Sequence, residues 1–159
     1  MRRALTAMVI LTTALAVTGQ IKKAVPKPDK KDVLYLVHAS TLVQTEIARP
    51  APKDDGASTT WSIPGESSLA KTPLALPIFT IDAGSIAPEK LQLYPFEIKG
   101  AHRELTLKKK GPSETEPILI TIAPVSGTLY RIELVNEIPN GEYGLTIPGS
   151  NQFFCFSVF

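Results

Sequence analysis

The side chains best suited to chemistry are few and scattered. His38 stands two residues before Ser40 in "LVHAST". A Ser–His pair becomes a nucleophile only when a third group orients the imidazole and N–H donors wait for an oxyanion. The chain has no Gly-x-Ser-x-Gly elbow, so His38 is expected to be a strand residue bonded to backbone. His102, in "KGAHREL", reads as a solvated hairpin residue. Two isolated histidines and a single Cys155 give neither His-x-x-x-His nor Cys-x-x-Cys spacing, so no zinc site is read. Asp54-Asp55-Gly56 lacks the alternating oxygen ligands and distal Glu of a calcium loop and reads as a turn. Asp82 in "IDAGS" lacks the Asp-Thr/Ser-Gly signature of aspartic proteases. Glu97 and Glu104 could oppose each other across a hairpin, as carboxylate pairs do in glycosidases, but any β-protein offers such pairs. Lys108-Lys109-Lys110-Gly111-Pro112 is a basic loop tip answered by Glu114 and Glu116. No Gly-rich phosphate cradle accompanies it. These residues assign no catalytic group, metal or cofactor.

The stretch with the strongest claim to a specific role is "PGESSLAKTPLALP". Loops longer than ~12 residues are uncommon unless they bind something or are disordered. Gly65, Glu66, Ser67, Ser68 and Lys71 form its polar lining and the candidate binding loop. A packed, proline-rich connection between sheets is the alternative.

The elements that must carry these residues are strands. "LYRIELV" places Tyr130, Ile132 and Leu134 on one face and Arg131 and Glu133 on the other. "TTWSI" does the same with Thr59, Trp61 and Ile63, making Trp61 a core anchor. "VLYLVH" is apolar on both faces, which suits a doubly buried strand or an opening strand beneath a cover. "TLVQTEI" reads as one strand with Val43, Thr45 and Ile47 together. The 14 prolines exclude long helices, and only "SIAPEKL", with Pro88 early, suggests a single helical turn. About 7–10 short strands with closely spaced turns make an all-β sandwich, expected to span residues 33–159.

The end of the chain sharpens this expectation. In "IPNGEYGL", Pro139 presets a turn, Gly141 is expected to supply a positive φ, and Tyr143 opens the next strand. In "FFCFSVF", Phe154 and Phe156 face one way and Phe153 and Cys155 the other. The order of strand, Pro-x-Gly-Glu-Tyr turn, Tyr strand, Pro-Gly-Ser turn and final strand resembles the last strands of immunoglobulin-like modules in exported bacterial proteins. That resemblance covers about a sixth of the chain. It implies a single immunoglobulin-like β-sandwich whose tyrosine hydroxyl reaches back to upstream backbone. It implies no catalytic or ligand residue.

Composition bounds the setting. Arg2 and Arg3, the apolar run from Ala4 to Val17 and the small residues up to Gly19 make residues 1–19 a secretory signal peptide. Residues 20–32 are a basic, Pro/Lys-rich tether. The chain has 17 basic and 15 acidic residues, and the charge is uneven: the tether is basic and the body mildly acidic. An acidic body gives no footprint for nucleic acid. With one cysteine, no intrachain disulfide forms. The sequence therefore points to an exported, non-catalytic binding or structural module of the bacterial envelope, periplasmic, on the cell surface or extracellular. It has no membrane span after signal cleavage and carries another envelope protein or a glycan as partner. The alternatives are an envelope-assembly subunit pairing through an edge strand, or a small hydrolase with an unlocated site.

Overall fold

The computed structural model describes residues 26–159. The expected signal peptide and the first part of the expected tether lie outside the described residues. The chain is nearly all strand, as expected. In order the strands are β1 (Leu34–His38), β2 (Thr41–Gln44), β3 (Glu46–Ala48), β4 (Lys53–Asp54), β5 (Ser58–Pro64), β6 (Lys71–Thr72) and β7 (Ile78–Asp82). They continue with β8 (Gln92–Pro95), β9 (Glu97–Lys99), β10 (His102–Lys108), β11 (Ile120–Ser126), β12 (Leu129–Leu134), β13 (Gly141–Thr146) and β14 (Phe153–Val158). A 3-10 turn over Pro88–Lys90 is where proline favoured one. The strand count exceeds the expected range because several runs are two to four residues long and change sheets.

The first sheet runs β11-β12-β7-β1-β2, a second β3-β14-β13-β8 with β6 beside β14, and a third β4-β5-β10-β9. "TLVQTEI" is not one strand. It breaks at buried Thr45, whose N–H and hydroxyl both donate to the Leu34 carbonyl at 3.0 and 2.8 Å. Before Thr45 the chain pairs with β1; after it, with β14.

The aromatic C-terminal strand explains why there are three layers. Phe154, Phe156 and Val158 enter the main core with Leu34, Leu36, Phe79, Ile81 and Ile132 of the first sheet. Phe153 and Cys155 face the opposite way, into a smaller core with Ile63, Leu105, Tyr94 and Phe96. Because side chains alternate across a strand, β14 is apolar on both faces only if both are covered. Its sheet is the middle layer. Its edges are covered too: β13 lies along one side, and β3 and then β6 along the other. Trp61 is half-buried at the rim of the smaller core, edge-on to Phe153 at 5.8 Å. Gly144 in β13 lets Phe96 lie flat on the middle sheet, since a Cβ there would sit 2.5 Å from the Phe96 ring.

The Tyr143 hydroxyl donates to the Pro139 carbonyl at 2.7 Å. Gly141, however, is not in the left-handed region. It begins β13 beside the Tyr143 side chain, where a Cβ would make ordinary van der Waals contact with the hydroxyl at 3.4 Å and the ring at 3.5 Å.

The described end of the tether, Pro26–Asp32, is folded onto the first sheet. Pro28 is buried. Lys27 lies 3.6 Å from Asp82, and Lys30 donates to Gln44 at 3.2 Å. This is the cover that the doubly apolar β1 requires, and Tyr35 is buried beneath it. Asp32, at φ 59°, anchors the segment. Its carboxylate accepts the N–H groups of Gly84, Ser85 and Ile86 at 2.7–3.0 Å, and the Ser85 hydroxyl at 2.8 Å. Partial burial opposes the charge, but the donors of Ile86, Ser85 and Gly84 outweigh it and bring the pKa from 3.8 to about 2. A lowered carboxyl pKa adds stability above pH ~4 that is lost as pH falls through the folded value. The bonds are partly solvated, so the contribution is about 1 kcal/mol. Asp32→Asn, which tolerates the left-handed backbone, should lower stability by about that amount at pH 7. It should also flatten the dependence between pH ~4 and ~2, as read by urea unfolding across that range.

Candidate functional site

The second and third sheets enclose a charged group that periodicity alone places in the core. Arg103 in β10 lies opposite Ile63 of β5, on the same face as Leu105, opposite Trp61. It is the largest fully buried side chain, at 1% exposure. A guanidinium in such a place must have its donors satisfied. Glu46 of β3 accepts Nη1 and Nη2 at 3.0 and 2.7 Å. The Gly65 carbonyl accepts Nε at 2.9 Å and the Pro64 carbonyl accepts Nη2 at 3.1 Å. Glu142 of β13 stands 3.9 Å away and accepts the Ser68 N–H at 2.8 Å. Burial opposes the Glu46 charge, but the bidentate Arg103 outweighs it and holds this carboxyl below the usual range. Burial also pushes the neighbouring Cys155 thiol up to about 12, so it is a packed, unreactive group.

This network explains the loop singled out in the sequence. Gly65 takes φ 90° as the chain leaves β5, and Arg103 grips the Pro64 and Gly65 carbonyls. The Ser68 hydroxyl then donates to the Cys155 carbonyl at 3.2 Å, and the Ser157 N–H donates to the Ala70 carbonyl at 2.8 Å. Lys71–Thr72 completes the attachment as β6. Ser68 is therefore an inward anchor and not part of an exposed polar lining; Gly65, Glu66, Ser67 and Lys71 remain at the surface. Between buried Ser68 and buried Ala70, Leu69 stands 91% exposed. Leu74 and Leu76 are exposed further along the same loop.

The remaining chemistry-bearing residues are dispersed. Glu97 and Glu104 do face each other across β9 and β10. Lys99 bridges them at 2.9 and 3.7 Å, in a shallow polar groove of about 360 Å³ on the outer face of the third sheet. The cation neutralises the pair that an acid–base mechanism would need to keep distinct. His38 ends β1, away from His102, which is exposed at the start of β10. The His38 Nε2 finds no hydrogen-bond partner among the described residues, contrary to the backbone bond expected. Asp54 and Asp55 accept the N–H groups of Gly56, Ala57 and Ser58 as a turn does, and Lys109 pairs with Asp54. Lys108 meets Glu114 at 3.3 Å. Asp82 is taken up by Lys27 and by the Thr128 hydroxyl at 2.5 Å. Among the described residues no three His, Cys, Asp or Glu side chains gather as a metal would need, and no helix is long and apolar enough to cross a membrane.

Arg103, Glu46 and Glu142 were not singled out from the sequence. One signal was present: in "RELTLKK", Arg103 shares parity with Leu105 and Leu107. An arginine in the apolar phase of a strand marks a buried partner. Fold and site together define an all-β, sandwich-like protein with a surface loop clamped from within. No family model matches the chain, and no curated protein or solved structure matches it.

Proposed function

We propose that this chain is a non-catalytic binding module, exported to the bacterial envelope and immunoglobulin-like in its closing strands, whose docking element is the clamped 64–77 loop. The observation that carries the reading is Leu69, exposed at 91% between two buried neighbours. A mobile loop could fold such a leucine away. This one is fixed by bonds on both sides of Leu69, so its apolar surface is held out at no further cost in backbone entropy on binding. A rigid apolar knob flanked by Glu66 and Lys71 suits an apolar pocket with a polar rim on another protein.

The test compares captures from envelope extract by the wild-type chain and by Leu69→Glu, read by mass spectrometry. A protein retained by the wild type and lost with Leu69→Glu, at unchanged melting temperature, supports the module. Identical capture profiles, or retention on glycan alone by both proteins, overturn it.

A further inference from the structure

Trp61, the single tryptophan of the chain, stands half-buried at the rim of the smaller core. On β5 it shares a face with Thr59 and Ile63, and Asp54 of β4 lies opposite Thr59. The turn between β13 and β14 arrives from the middle sheet, because Phe153, which meets Trp61 edge-on, begins β14 just after it. Trp61, Thr59, Asp54 and turn residues 149–151 enclose a cavity of about 250 Å³ between them. Both walls are fixed in advance. The Ser150 N–H donates to the Ile147 carbonyl at 2.9 Å, and the Ser150 hydroxyl accepts the Gln152 N–H at 3.0 Å. On the other wall, Asp54 accepts the Gly56 N–H at 2.8 Å and pairs with Lys109. A site built this way loses little further freedom when it is filled.

The lining selects the ligand. The indole offers one broad apolar surface with a polar handle, and Thr59, Ser150 and Asn151 add hydroxyl and amide groups. Asp54 is the one charged residue among the described residues of the lining, and Lys109 already answers it, so neither an anion nor a cation is favoured. The Trp61 Nε1–H is buried and meets no acceptor among the described residues. A buried indole N–H is ordinarily paired, so an acceptor is missing here. We propose that this cavity is a subsite for one ring of a neutral glycan. A pyranose ring carries an apolar face of C–H groups, which lies on the indole. Its hydroxyls both donate and accept, which suits Asn151, Ser150 and Thr59, and a ligand oxygen seated against the indole supplies the acceptor that Nε1 lacks. An aromatic wall with a few placed polar groups, in the mouth of a β-enclosed core, is the general form of a small-ligand site. The subsite is separate from the Leu69 loop and does not depend on it.

Because no other tryptophan emits, fluorescence of the full chain reports occupancy of the cavity directly. The protein is titrated with cellotriose, maltotriose and tri-N-acetylchitotriose, and with a proline-rich peptide as the competing class of ligand. At least one trisaccharide is expected to change the emission saturably, with the same affinity in Leu69→Glu. Asn151→Ala, at an exposed position, should keep the melting temperature and weaken binding roughly tenfold, the effect of a lost hydrogen bond. Trp61→Ala, followed by calorimetry because it no longer emits, should lose the binding. No saturable response to any of the three sugars overturns the proposal. So does a response to the peptide alone, or equal affinity in the wild type and Asn151→Ala.

Discussion

Replacing Phe156 by alanine should lower stability by ~3–5 kcal/mol, the cost of a large aromatic removed from a core that cannot collapse around the gap. Phe156 has no exposed surface. Its ring meets Phe79 edge-on at 4.9 Å and stacks on Tyr143 at 5.5 Å. Tyr143 in turn is tied to the Pro139 carbonyl at 2.7 Å, so the walls of the cavity are held by strands on both sides. Thermal unfolding should move down by roughly 10–20 °C for a domain of this size. Phe159, 62% exposed, provides the contrast. Phe159→Ala should change stability by no more than about 0.5 kcal/mol, as surface substitutions do. If the two variants melted alike, the doubly covered β14 would be the wrong account of the C-terminus.

Arg103→Ala should cost a similar ~3–5 kcal/mol for a different reason. The lost area is modest in effect; what remains is buried Glu142 and partly buried Glu46, two carboxylates with no cation between them. Burying an unpaired charge is far more expensive than burying none. The joint change Arg103→Met with Glu46→Leu should recover much of the loss, since a buried ion pair replaced by apolar side chains of similar volume is often near neutral. Urea unfolding of the single and joint variants measures this directly. The loop supplies a second readout. Without Arg103, the Pro64 and Gly65 carbonyls lose their grip and protease cutting within residues 65–71 should accelerate. The joint variant should be cut as fast as Arg103→Ala even where its global stability returns, because methionine donates nothing to those carbonyls. Equal protection of the loop in all three proteins would show that the network does not hold it.

Because local alternation reflects burial directly, the sequence by itself determined the all-β class and the phase of most strands. In "LYRIELV" and "TTWSI" the apolar phase is the core phase. The short turn at Pro88 followed from one fixed φ. What covers a face is a different matter. "VLYLVH" and "FFCFSVF" showed that both sides were covered, without showing by what. The covers are the end of the tether, which folds back over the strand it leads into, for one, and a third sheet built from residues remote in sequence for the other. Only the tertiary structure could divide "TLVQTEI" at Thr45, since two unrelated sheets compete for its halves. It also placed Gly141 outside the left-handed region, as the first residue of β13. The clamped loop was visible as a long irregular stretch, but its polar residues suggested a lining where the fold uses Ser68 as an anchor and displays Leu69. That reversal depends on Arg103, Glu46 and Glu142 meeting from three different strands. No local pattern records such a meeting, because a buried charge is tolerated only where the fold brings its partners to it.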